Sequence, residues 1–171
     1  MVLPRPAPAL LLALGLPLAS AGCAVQQPAT AERAYHASMA PLVDRNAGIA
    51  QELETLAVGI KKGDASAEDI ASVLDEKVLP EAKALATEVA AVEAGSPELK
   101  AAHEIIVGAW DDRADILGDS LSAWRAADAD AAHAATERRY SAARAEALYF
   151  ETINELLVQE GYVLQPYAPN Q

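Results

Sequence analysis

Tyr35, Met39, Leu42, Ile49, Leu53, Leu56 and Ile60 follow one another at alternating spacings of four and three, with the polar Asn46 in the one remaining slot. A helix turns every 3.6 residues, so this spacing gathers the apolar side chains on one narrow stripe. It predicts a helix over about 31–61 that packs nearly parallel to its neighbours. Pro41 lies inside the pattern and either marks the start of the helix or kinks its first turns. Lys61 and Lys62 suit the negative helix end, and Gly63 can take the left-handed C-cap conformation.

Three further segments carry the same periodicity. The second opens at Ser66, with Asp69 three residues on in the manner of a capping box. Its stripe is Ile70, Leu74, Val78, Ala82, Leu85, Val89 and Val92, and Gly95 is expected to end it. Pro80 interrupts this stripe and predicts a bend there, with the carbonyl of Glu76 released. The third segment starts with Ser96 as N-cap, Pro97 at the first helical position and Glu98 in the first turn. Its stripe is Leu99, His103, Ile106, Trp110, Ala114, Leu117, Leu121 and Trp124. Ala126-Ala127-Asp128 makes the next turn without Gly or Pro, and Asp128 is read as N-cap. The fourth helix, over about 129–160, is apolar over a wide arc, so it is either wedged between two neighbours or partly exposed for a partner. Gly161 stops it, and residues 162–171 form an extended tail with Pro166 and Pro169. Nothing alternates with a period of two. The chain therefore reads as all-α, an up-down-up-down four-helix bundle over 31–161.

The region ahead of the bundle is of another kind. Residues 1–22 read as a cleaved signal peptide, with Arg5, an apolar run from Ala9 to Ala19, and the small residues Ser20-Ala21-Gly22. The run is shorter than the roughly 20 residues that cross a bilayer. Leu18-Ala19-Ser20-Ala21-Gly22-Cys23 resembles the lipobox of bacterial lipoproteins, with Ser20 where that family usually has Leu. The resemblance covers residues 1–23. It implies export, diacylation of Cys23 (palmitate-type chains) as the mature N-terminus, and a membrane anchor through that lipid. Ala24 in place of Asp after the cysteine implies, in a Gram-negative cell, an outer-membrane lipoprotein facing the periplasm. Ala19-Ser20-Ala21 also reads as an ordinary cleavage site, which would give a secreted soluble protein starting at Gly22. Residues 23–30 form a polar tether whose last seven residues reach at most ~25 Å.

Composition narrows the function classes. The 149 residues from Cys23 to Gln171 suit one domain, and Cys23 is the only cysteine, so no disulfide staples the fold. Without the leader the formal charge is −13, which argues against nucleic acid and against adsorption to anionic lipid. It favours solubility or a basic partner. The chain has no Gly-rich phosphate loop, nucleophile elbow or Cys-x-x-Cys-His, and only Asp130-x-x-His133 approximates a di-iron motif. Met39 and His133 would fall at opposite ends of the bundle and cannot share a haem. Neither enzyme activity nor a cofactor is expected.

Four groups remain as candidates. His36 and His103 fall at the same end of the bundle, near Glu88, Glu93, Glu155 and Glu160, and form a candidate metal site; the alternative is a hydrogen-bonded His103 in the seam and a surface His36. Asp111, Asp112, Asp115 and Asp119 line one edge of the third helix, where Asp115 should face Arg139 and Asp112 should face Arg144 across the antiparallel pair. Trp110 and Trp124 are expected in the core. Tyr140, Ala143, Ala147, Phe150 and Leu157 form a candidate partner surface on the fourth helix. Tyr162 extends it into a tail that is either a strap or a docking peptide. The expected function is a non-enzymatic structural or protein-interaction module, tethered through Cys23 and engaging an envelope protein. The alternative is a periplasmic small-ligand or metal-binding bundle using the His36/His103 end.

Overall fold

The computed structural model describes residues 30–64 and 66–168, so the leader, Cys23, the tether up to residue 29 and the end of the tail from Pro169 lie outside the described residues. Among the described residues, five α-helices form four antiparallel rods: α1 (Ala31–Lys62), α2 (Ala67–Val73) continued through a π-turn (Leu74–Val78) into α3 (Leu79–Ala90), α4 (Pro97–Arg125) and α5 (Ala129–Leu157), with a 3-10 turn over Val158–Glu160. The molecule is an all-α up-down-up-down bundle, with no strand among the described residues. No described helix is long and apolar enough to cross a membrane.

Local chemistry fixes the helix ends. Thr30 Oγ1 accepts from the Arg33 N–H at 3.2 Å and starts α1. Gly63, at φ 75°, closes it: its N–H donates to the Ile60 carbonyl and that of Asp64 to the Gly59 carbonyl. Pro41 does not start the helix. It sits on the exposed side, as does Ala37, whose carbonyl it cannot pair, so water can take that acceptor. Ser66 and Asp69 make the capping box in both directions, each at 3.1 Å. Ser96 Oγ accepts from the Leu99 N–H, and Asp128 Oδ1 from the Ala131 N–H, as read from the sequence.

Two expectations need correction. Gly95 is not the cap of α3, which stops at Ala90 with Ala91 capping it. Gly95 lies in the connection, against the first residue of α1: a Cβ added there would stand 2.9 Å from the Ala31 Cβ. Close approach, not a left-handed turn, is what keeps it small. The perturbation ahead of Pro80 takes the form of a π-turn. The Leu79 N–H reaches the Leu74 carbonyl five residues back, and helical dihedrals continue through Val73, Val78 and Leu79.

Tyr35, Met39, Val78, Leu85, Val89, Leu99, Ile106, Trp110, Tyr149, Ile153 and Leu157 are fully buried and form the core. They concentrate at the end where α1 and α4 begin. Towards the other end packing thins: Val58, Ile60 and Trp124 are exposed, so Trp124 is not the core residue its stripe predicts. Leu53 and Leu117 are only half-buried. Around the ring α4 lies beside α3 and α5, α3 beside α1, and the edge between α1 and α5 is the loosest.

The tail covers part of that loose edge as a strap. Gly161 (φ 80°) turns the chain back, and Asn154 then grips Leu164 twice, donating to its carbonyl (2.9 Å) and accepting from its N–H (2.8 Å). Leu164 is buried in the core, and the Tyr167 hydroxyl donates to Glu54 Oε2 of α1 at 2.5 Å.

Candidate functional site

The open edge between α1 and α5 forms a cleft of about 900 Å³. Its walls follow from which residues face the gap. α1 contributes Ala50 and Leu53, α5 contributes Tyr140, Ala143, Ala147 and Phe150, and α4 lays Ile116 and Leu117 along the bottom. Leu74 enters from the π-turn, and the strap brings Pro166 and Tyr167 to the outer edge. Alanines on both sides leave the space that longer side chains would close. The volume lies within the range of ordinary ligand sites, roughly 300–1,000 Å³.

At the inner end the cleft has a polar floor built by three helices. Glu146 of α5 accepts from Asn46 Nδ2 of α1 (2.9 Å) and from Trp110 Nε1 of α4 (3.0 Å) on one oxygen, and from Arg113 of α4 on the other. Arg113 also donates to Asn46 Oδ1 at 2.5 Å. Asn46 is buried, and the Arg113 and Glu146 side chains are mostly so. Taking a lone charge out of water is costly, but here each charge has its opposite and every named polar atom has a partner. Paired in this way, the floor holds the three helices in register. Asn46, the one polar slot in the first stripe, is thereby accounted for.

The residues singled out from sequence scatter. Tyr140 is 54 % exposed and lines the cleft, whereas Phe150 is only 5 % exposed and Leu157 is fully buried. The expectation that Phe150 and Leu157 belong to an open partner surface is therefore corrected. The wide arc of α5 divides along its length, wedged among α1, α4 and the strap towards its end and open over the cleft nearer its start. Tyr162 belongs to the strap and stacks on His36 with ring centroids 4.8 Å apart.

The two candidate metal ligands are turned to different tasks. His36 Nε2 faces the Val163 carbonyl at 3.3 Å and helps hold the strap. His103 Nδ1 is hydrogen-bonded at 3.0 Å to the Tyr35 hydroxyl, deep in the core, and its Nε2 is buried without a hydrogen-bond partner. Burial pulls the His103 pKa below its ordinary value, against smaller upward pulls from the Val89 carbonyl and the Glu104 carboxylate. Among the described residues no three His, Cys, Asp or Glu side chains are grouped to hold a metal. Cys23, the candidate lipidation site, lies outside the described residues.

Ion pairs do bridge α4 and α5, with partners other than those expected. Arg138 pairs with Asp119 at 2.5 Å and Arg113 with Glu146, whereas Asp115–Arg139 and Asp112–Arg144 are not pairs among the described residues. The helices meet a few residues out of the expected alignment. Arg139 is left exposed at the rim of the cleft with no ion pair among the described residues.

The sequence signals for this site were partial. Asn46 was visible as a polar slot, but nothing in the spacing of Arg113 and Glu146 distinguishes them from surface charges. No protein-family profile, curated protein or solved structure matches the chain significantly, so the geometry alone carries the functional argument.

Proposed function

We propose that this protein is an exported envelope lipoprotein, tethered to the membrane through Cys23, that works without chemistry as a binding module whose ligand occupies the cleft between α1 and α5. The observation that carries the reading is the cleft itself: a 900 Å³ apolar cavity over a polar floor that is already fully paired. The apolar walls of an open cleft of this size face water, and a ligand that covers them removes that surface from solvent. The paired floor removes the usual desolvation cost of a buried charge.

Filling the cavity tests it. Ala143→Leu and Ala147→Leu together should keep the helical circular-dichroism signal and abolish binding of an apolar fluorescent probe. Undiminished probe binding by a folded variant would remove the cleft from the reading. The tether is tested separately by detergent-phase partition. Wild-type protein should enter the detergent phase and Cys23→Ala the aqueous one, because a diacyl anchor holds where one chain would not. An aqueous wild type beginning at Gly22 would make the protein secreted and soluble.

A second reading, an accessory or assembly factor that docks an envelope protein, is supported by Val58, Ile60 and Trp124, all exposed at the thinly packed end of the bundle. Pull-down from solubilised membranes with Trp124→Ser against wild type tests it, and loss of a partner in the variant is the expected outcome.

A further inference from the structure

Resting on the cleft reading above, we infer that the ligand is a fatty carboxylate, its aliphatic chain lying along the cleft and its head group held at the rim by Arg139. The charged side chains lining the cleft are Arg113, Arg139 and Glu146, a net charge of +1 in a chain whose overall charge is −12. Arg113 and Glu146 neutralise one another, which leaves the uncompensated positive charge on Arg139. A single guanidinium matches a single carboxylate as a two-pronged donor, whereas a dianionic phosphate would call for a second cation.

The walls favour a slender chain over a protein helix. Leu53, Leu117, Ala143 and Ala147 present aliphatic carbon, while Pro166 and Tyr167 stand over the outer edge, with Tyr167 fastened to Glu54. A helix needs a trough about 10 Å wide along its whole length. An acyl chain needs half of that and gains ~0.8 kcal/mol for each buried methylene. Glu54, beside the strap, has its carboxylate engaged by the Tyr167 hydroxyl.

The test is calorimetric titration of the full chain with dodecanoate and dodecyltrimethylammonium, each below its micellar concentration, and with dodecanol below its solubility limit. Dodecanoate should bind one to one, with the cationic amphiphile at least about tenfold weaker. Arg139→Gln should weaken dodecanoate about tenfold, the range of one charge-assisted hydrogen bond, and leave dodecanol unchanged. Arg139 is exposed and unpaired among the described residues, so this variant should fold. Ala147→Trp should abolish binding of both, with Ala143→Trp as the equivalent variant should the first unfold. If the tryptophan variants lose all binding but dodecanol binds as tightly as dodecanoate and Arg139→Gln changes neither, the carboxylate inference is overturned and the cleft stands. If dodecanoate binding survives a folded tryptophan variant, or no amphiphile binds the wild type, both are overturned.

Discussion

The hydroxyls of Tyr35 and Tyr149, 114 positions apart in the chain, meet at 3.1 Å in the core of the bundle. Tyr35 is bonded in turn to His103, so three polar side chains from α1, α4 and α5 form one buried line. Such a line joins the first helix to the last at the end where the core is densest, and each member depends on the others for its partners. Tyr35→Phe leaves both His103 Nδ1 and the Tyr149 hydroxyl unpaired. It should cost about 1–3 kcal/mol in urea denaturation with helicity retained, whereas Tyr140→Phe at the exposed rim should cost almost nothing.

The same line makes stability depend on pH at both ends of the scale. Burial holds His103 below its ordinary pKa, so as pH falls the unfolded chain takes up the proton first. Stability tied to His103 is therefore present above about pH 6.5 and lost as pH falls through the folded value. At the alkaline end, burial pushes Tyr35 up to about 12, partly offset by its bond to Tyr149. Its contribution is present below pH 10 and lost as pH rises towards 12. Denaturation curves across pH should show both losses, with the alkaline one reduced in Tyr35→Phe and the acid one in His103→Asn.

Ala127 adopts φ 53°, the left-handed region, in the turn between α4 and α5. The Asp128 N–H reaches the Ala123 carbonyl across it at 2.9 Å, the bond that closes a helix when glycine stands at this position. A Cβ is strained there, so Ala127→Gly should stabilise the protein by about 1 kcal/mol, seen as a higher thermal midpoint. A lower midpoint would mean that the turn is held by something other than this backbone conformation.

Gly95 predicts the opposite sign. Its missing Cβ would stand 2.9 Å from the Ala31 Cβ, which is fixed directly to the helix backbone and has no rotamer to retreat into. Gly95→Ala should therefore cost about 1–3 kcal/mol by displacing the start of α1, and an unchanged unfolding midpoint would contradict the close approach.

Phe150→Glu distinguishes core from surface on α5. Phe150 packs edge-on against Tyr149 with ring centroids 5.1 Å apart and is almost wholly buried. An unpaired carboxylate there should unfold the domain or remove more than about 3 kcal/mol. A folded variant that has lost only ligand or partner binding would return Phe150 to the role first read from its position.

Legibility in the sequence followed the range of the interactions. Ser66 with Asp69, Ser96 with Pro97, Asp128, Gly63 and Gly161 act within four or five residues, and each does in the structure what its neighbours in the chain suggest. The cleft depends on how far α1 diverges from α5, a matter of tertiary packing that no local pattern encodes. Phe150 and Leu157 were misplaced for a related reason. Counting apolar residues on α5 shows more surface than one seam needs, but not that α1, α4 and the strap cover its last turns. Glu146 looks like any surface glutamate until Asn46, Trp110 and Arg113 are brought to it from other helices.

The π-turn resolves a mismatch of phase. Ile70, Leu74, Val78 and Ala82 are separated by three successive steps of four residues. On a regular helix each step of four overshoots a full revolution by about 40°, so the set would wind by some 120° around the rod. Yet Ile70, Val78 and Ala82 are all buried. The wider turn over Leu74–Val78 absorbs the overshoot, which returns Val78 and Ala82 to the side that Ile70 already faces. The segment thus carries one residue more than a regular helix could hold in phase. Removing a single residue between Leu74 and Val78 should therefore let the turn close into a regular helix with Ile70 and Val78 still on one side, whereas removing a second would rotate Ile70 and everything before it away from the core.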